Sequence, residues 1–272
     1  MARSHAIGAA QSRLRELCVI ASEATGVTFA PLHAPSYREL AELIRHGDGG
    51  IAWMPPIPAI DLEEDGAATP LALPWRHESA SYYSALVTRE GRGDRGERGE
   101  RAKGVPELQG LRVAWVDKES AAGYLVPRMH LASLGLDART FFAQETFAHS
   151  HLGVIDAVVS GAADVGATFC TLEPGTKRVM TAGWTAADGS KIRDVDLVAT
   201  LGPIPNDAIV ASTRVPAAVR SGLTRWLLAP DERSQDLLAE LFQVRSFRVA
   251  SSAHFDPLRH MMRAARARGY DA

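Results

Sequence analysis

Three short stretches place side chains where small-molecule chemistry is possible. In Val113-Ala-Trp-Val-Asp-Lys-Glu-Ser-Ala-Ala-Gly-Tyr-Leu125 an apolar run gives way to a turn, and Ser120 stands where a helix N-cap belongs. The free N–H groups of a first helical turn carry partial positive charge, so such a turn can hold an anion without Lys or Arg. A plain cap, with Asp117 as a turn residue, explains the same residues. His149-Ser-His151 opens the next helical stretch; it reads either as a surface histidine pair or as a second donor toward the same anion. Ile204-Pro-Asn-Asp207 reads either as a turn, which Pro, Asn and Asp favour, or as a carboxylate presented to a ligand.

Other chemistry lacks its residues. Gly91-Arg-Gly-Asp-Arg-Gly96 fits the dinucleotide pattern GxGxxG. Its continuation, Glu-Arg-Gly-Glu-Arg, has no apolar face to make the helix that must hold the pyrophosphate. The embedded Arg92-Gly93-Asp94 reads as charge-rich filler. Cys18 and Cys170 are the only cysteines, both in apolar surroundings, and no CxxC or Cys/His cluster supplies zinc ligands. No GxSxG elbow, HExxH or P-loop is present, so no cofactor and no metal is expected, and no catalytic residue is assigned.

The elements around these stretches alternate. Leu14, Leu17, Cys18 and Ala21 fall at helical spacing, with Ser12 as the expected cap and Gly26 as the stop. Val27–His33 reads as a strand, Leu40, Leu43 and Ile44 as a helix ending at Gly47, and Ile51–Met54 as a buried strand closed by Pro55-Pro56. That alternation predicts an α/β lobe with a largely parallel sheet. Tyr82–Thr88 is a further strand. Glu90–Lys103, with Ala102 as its one apolar residue, reads as a solvated loop. The alternation then restarts. Leu111–Val116, Thr140–Phe142, Asp164–Phe169, Val195–Leu201 and Ala208–Ser212 read as strands, and Ala121–Leu134 and His151–Ser160 as helices. The chain closes with helices marked by Val219, Leu223, Trp226 and Leu227, and by Leu237, Leu238, Leu241 and Phe242. The expected division is residues 1–84 and 207–272 in lobe one and 85–206 in lobe two.

The 272 residues, 46% hydrophobic, are enough for one large core or two small ones. A formal net charge of −2 argues against a protein that coats nucleic acid. No apolar run approaches the ~20 residues of a membrane span, and no secretory signal core is visible after Met1. As written the chain is expected to be cytoplasmic, and periplasmic if its true start lies upstream.

Together these stretches resemble the phosphate/phosphite/phosphonate substrate-binding proteins of ABC transporters. The resemblance rests on Leu108–Asp117 followed by Ser120-Ala-Ala-Gly-Tyr-Leu-Val-Pro127, on His151 followed by Ala157-Val158 and Gly161-Ala-Ala-Asp-Val-Gly166, and on Gly202-Pro-Ile-Pro-Asn-Asp207. Tyr37 before Glu39-Leu40 and Gly47, and Ala52-Trp-Met-Pro-Pro56, resemble two further segments, so the likeness covers roughly residues 30–260. It implies an α/β, two-lobed periplasmic-binding-protein-like fold of type II, with two crossover strands as hinge and a small anion held in the cleft. The implied ligand contacts are Ser120, the amides of Ala121 and Ala122, His151 and Asp207, with Trp53, and with Tyr37 and Tyr83 as aromatic walls. Asp207 suits a ligand carrying an amine or an acid proton. The family places hydroxyls at three successive positions of the anion loop; here two are Ala121 and Ala122. The resemblance further implies an ABC permease as partner, a monomer, no direct membrane insertion and no enzyme activity. A cytoplasmic enzyme or a ligand sensor on the same fold is the alternative.

Overall fold

The computed structural model describes residues 7–76, 79–91, 104–186, 188–244 and 246–270. In chain order the first elements are α1 (Ile7–Thr25), α2 (Tyr37–His46), β1 (Ile51–Met54), α3 (Pro56–Glu64), β2 (Ala68–Pro74) and β3 (Ser81–Arg89). Next come β4 (Arg112–Trp115), α4 (Val126–Ser133), β5 (Gln144–Phe147), α5 (His151–Ser160), β6 (Val165–Leu172), β7 (Val179–Ala182) and β8 (Val195–Pro205). The last are β9 (Ala208–Ser212), α6 (Ala217–Leu228), α7 (Glu232–Phe242), β10 (Phe247–Val249) and α8 (Ser252–Arg266).

Contacts divide the chain into two compact units, Met1–Ala80 with Asn206–Phe255 and Ser81–Pro205 with Asp256–Ala272. The chain therefore passes from one unit to the other three times, at the start of β3, at the end of β8 and within α8.

The first unit is built on a four-stranded sheet in the order β1-β9-β2-β10, and every paired neighbour is antiparallel. The expected largely parallel sheet is corrected here. β1 and β2 are not neighbours, because β9 inserts between them and runs against both. α2 carries its own start signal: Ser36 accepts from the Glu39 N–H at 3.2 Å, in an S-x-x-E arrangement, and Gly47 N–H returns to Leu43 at 2.8 Å. Leu71, Ala72, Ile209, Leu223, Leu227 and Phe247 form the apolar core under the helices.

The second unit carries a six-stranded sheet, β5-β4-β6-β3-β8 with β7 on β6. β4 pairs parallel with both β5 and β6, whereas β3 runs antiparallel to β6 and β8. Trp115 of β4 is fully buried, and its indole N–H donates to Glu145 of β5 at 2.8 Å. The same carboxylate receives Arg128 of α4 at 2.8 Å. That ion pair ties β4, β5 and α4 together beneath the two turns described below. Removing one partner of this part-buried pair leaves the other charge without its counter-ion.

Several element expectations need correction. Val27–His33 is not a strand: Val27 and Leu32 are exposed, and the segment is fixed by Phe29, whose N–H donates to Ser22 Oγ at 2.8 Å. Thr140–Phe142 is a turn, in which Phe141 and Phe142 are buried edge to face at 4.8 Å; the strand lies at Gln144–Phe147. α1 starts at Ile7 rather than after Ser12. Sequence reading also missed α3, β2, β7 and β10. C-terminal residues assigned to the first lobe fall, from Asp256 onward, in the second unit. There Tyr270 lies near enough to Arg128 and Tyr124 for their charges to act on it. Most of the expected loop Glu90–Lys103, residues 92–103, lies outside the described residues.

Candidate functional site

In the second unit two helix starts sit side by side. β4 and β5 are adjacent parallel strands in register, Trp115 opposite Phe147. The chain leaves the C-terminal end of each into a turn and then a helix. The N–H of Ala148 donates to Trp115 O at 2.8 Å and that of His149 to Val116 O at 2.9 Å, stitching the turns to each other. In open α/β sheets this carboxyl edge of the strands is where ligands bind.

The first turn is shaped by a proline and a glycine. Residues Ala121–Leu125 form a single π turn that runs on into α4. Pro127 has no N–H to give to the carbonyls four or five residues back, those of Gly123 and Ala122. Those carbonyls are satisfied from outside the helix: Gly123 O accepts from Val116 N–H at 3.2 Å, and Ala122 O accepts from the buried Ser84 hydroxyl at 2.6 Å. A Cβ at Gly123 would sit 2.7 Å from Val116 Cβ and 2.8 Å from Ser120 Oγ, so only glycine fits this close approach. Ser120 Oγ accepts from Gly123 N–H at 3.0 Å. That cap leaves the hydroxyl proton and the amides of Ala121 and Ala122 without an intrahelical acceptor.

The second turn repeats the device. Ser150 Oγ accepts from Gly153 N–H at 3.0 Å, leaving the first-turn amides of α5, and His151 is its first residue. The His151 ring lies edge-on to Phe169, centroids 4.8 Å apart, and its Nδ1 is 3.0 Å from Thr168 Oγ1. Burial pushes the His151 pKa down to about 4, against a weaker opposing pull from Asp117. The ring is therefore neutral at pH 7, a donor without charge.

The first unit holds a different cluster. The Trp53 indole N–H donates to Asp207 Oδ2 at 2.7 Å. Trp53 stacks on Phe242 at 4.4 Å, and the Arg76 guanidinium lies 5.8 Å from its ring centroid. Burial raises the Asp207 pKa, opposed by the Trp53 hydrogen bond and the Arg76 charge. Its neighbour Asn206 is buried and structural, donating from Nδ2 to Pro74 O at 2.9 Å.

The eight residues singled out from the sequence thus fall into groups. Ser120, Ala121, Ala122 and His151 belong to the stitched turns of the second unit. Trp53 and Asp207 are bonded to each other in the first. Tyr37 opens α2 directly after its cap, and Tyr83 lies half-buried in β3 against the apolar cluster that contains Cys170 and Trp184. Thr168, Ser84, Arg76 and Phe242 were missed. A polar residue inside an apolar strand run, as at Thr168 and Ser84, is the one signal the sequence offered. Among the described residues no group of three His, Cys, Asp or Glu could hold a metal ion, and no helix is long and apolar enough to cross a membrane.

The model of the periplasmic substrate-binding proteins of phosphonate ABC transporters matches residues 9–255. The chain belongs to that family. Solved structures agree on the two-lobed α/β fold. The chain is similar to XAC2383 from Xanthomonas citri bound to chloride ion, at 21% identity over 98% of this chain and 96% of that one, with a TM-score of 0.72. It is similar to a binding protein component of an ABC phosphonate transporter from Pseudomonas aeruginosa, at 18% identity over 97% and 84%, TM-score 0.65. It is also similar to PhnD1 from Prochlorococcus marinus in complex with methylphosphonate, at 18% identity over 95% and 94%, TM-score 0.60. As a member of the phosphonate-binding family the chain is a substrate-binding component of a transporter type that captures small ligands and works with a permease.

Proposed function

We propose that this chain captures a small oxyanion of the phosphonate or phosphite type, and that Ser120, the amides of Ala121 and Ala122, and His151 hold its head group. The observation that carries the reading is the pair of capped helix starts bonded to each other at the carboxyl ends of β4 and β5. Two N-terminal dipoles and neutral donors offset an anion's charge without a salt bridge. Tyr37, Trp53, Tyr83 and Asp207 are proposed as further ligand contacts, with Asp207 receiving an amine or an acid proton. The chain acts by binding rather than by catalysis, as a monomer outside the cytoplasm, and delivers to an ABC permease.

Calorimetric titration with phosphate, phosphite, methylphosphonate and 2-aminoethylphosphonate tests this. Ser120→Ala removes a hydrogen bond to a charged group, about 1.5–3 kcal/mol, so affinity should fall roughly 10- to 150-fold. Asp207→Asn should weaken 2-aminoethylphosphonate more than methylphosphonate. If none of the four binds, the ligand class is wrong.

A further inference from the structure

We infer that Thr168 is a positioning residue for the anion site: its hydroxyl donates to Nδ1 of His151 and so holds the ring's proton on Nε2, where it serves as a donor to the ligand. The inference rests on the functional reading above and names a residue outside its proposed ligand contacts.

Thr168 lies in the middle of β6, opposite Ala85 of β3, and is 0% exposed. Among the described residues its hydroxyl has one hydrogen-bond partner, His151 Nδ1 at 3.0 Å. The backbone of Gly183, just past β7, lies directly against that hydroxyl: a Cβ at Gly183 would overlap Thr168 Oγ1. The same backbone is anchored by Gly183 N–H to Phe169 O at 3.1 Å.

A neutral imidazole has one donor nitrogen and one acceptor nitrogen, and a hydroxyl has one proton. Two arrangements are possible. If Nδ1–H donated to Thr168, the threonine proton would be buried with no acceptor, an arrangement native structures avoid. If Thr168 donates to Nδ1, the buried hydroxyl and Nδ1 satisfy each other, and the ring proton sits on Nε2. Among the described residues Nε2 has no hydrogen-bond partner. The imidazolium alternative places a charge at the positive end of α5, which the helix dipole opposes. An Nε2–H donor recognises a bare oxyanion oxygen and cannot accept a proton from an ammonium or a hydroxyl, so Thr168 sets what kind of group His151 can meet.

Long-range proton–nitrogen NMR of the full chain at neutral pH reads the His151 tautomer without any ligand. The expected result is the Nε2–H form in the wild type and in Thr168→Ser, and a shift toward Nδ1–H in Thr168→Val. Methylphosphonate titration should show Thr168→Ser near wild type and Thr168→Val weakened roughly tenfold. A wild-type ring with its proton on Nδ1 overturns the inference, as does a folded Thr168→Val protein that keeps both the Nε2–H form and the wild-type affinity. Should Thr168→Val fail to fold, the wild-type and Thr168→Ser spectra decide. A wild type that shows the Nε2–H form yet binds none of the oxyanions overturns the functional reading and leaves the role of Thr168 standing.

Discussion

His151 and Asp207 are both held in environments that oppose charge, and they make the protein respond to acid in opposite directions. The His151 pKa is depressed from 6.5 to about 4. Protonation therefore favours the unfolded chain: the stability is present above pH 6.5, is lost as pH falls toward 4, and stays level below that, amounting to at most about 3 kcal/mol. Asp207 is raised, so its contribution is present below the ordinary carboxylate range and is lost as pH rises through its folded value. Urea midpoints from pH 4 to 8 should rise less with pH between 4 and 6.5 for His151→Gln than for the wild type, with the Asp207 trend common to both. His130, also lowered by burial, adds the same slope to both proteins and cancels. Equal slopes between pH 4 and 6.5 would mean that the ring is not shielded as described. The side chains at these positions were legible in the sequence as candidates because His and Asp stood at helix and turn boundaries. Thr168 was not, since nothing local marks which buried hydroxyl meets which ring.

At the scale of single elements, the π turn Ala121–Leu125 depends on partners far along the chain. Ser84 of β3 supplies the hydrogen bond that the Pro127 position cannot give to Ala122 O. Ser84→Ala leaves that buried carbonyl unpaired, a loss of about 1–3 kcal/mol. It should also loosen the turn, so hydrogen exchange at Ala121–Leu125 should quicken more than at β10, and a uniform change across the chain would count against a local role. The strand–turn–helix at 113–125 was readable because an apolar run, a serine and a glycine follow in order. α5 was read from His151 to Ser160, as observed, because Leu152, Ile155 and Val159 fall on one helical face; in the structure Ser150 and Gly161 cap it. The errors have a common physical origin. Val27–His33 has strand-like residues but pairs with neither sheet. The short β2 and β10 owe their existence to β9 and to each other, and so are set by pairing rather than by local pattern.

At the scale of the whole molecule, α8 and the residues after it fasten the C-terminus to the second unit. Phe255, Leu258, Met262 and Ala265 form a buried stripe at helical spacing, and Arg268 passes within 4.0 Å of the Cβ position of Gly135. A chain stopped after Phe255 strips that stripe of three members, each costing about 1.5–3 kcal/mol of burial for the larger side chains. Its thermal midpoint should drop sharply, with protection lost first around α4 and β5; a midpoint within a degree or two of the full chain would show the tail to be dispensable. The strand order has a further consequence, in the order of synthesis. β1 and β2 leave the ribosome early, yet the strand that separates and pairs with both, Ala208–Ser212, is translated only after the whole of Ser81–Pro205. At about 5–20 residues per second, the nascent N-terminal segment waits many seconds for its partner, while the intervening stretch already holds all the strands of its own sheet. The first unit therefore cannot close its sheet until every strand of the second unit has been made.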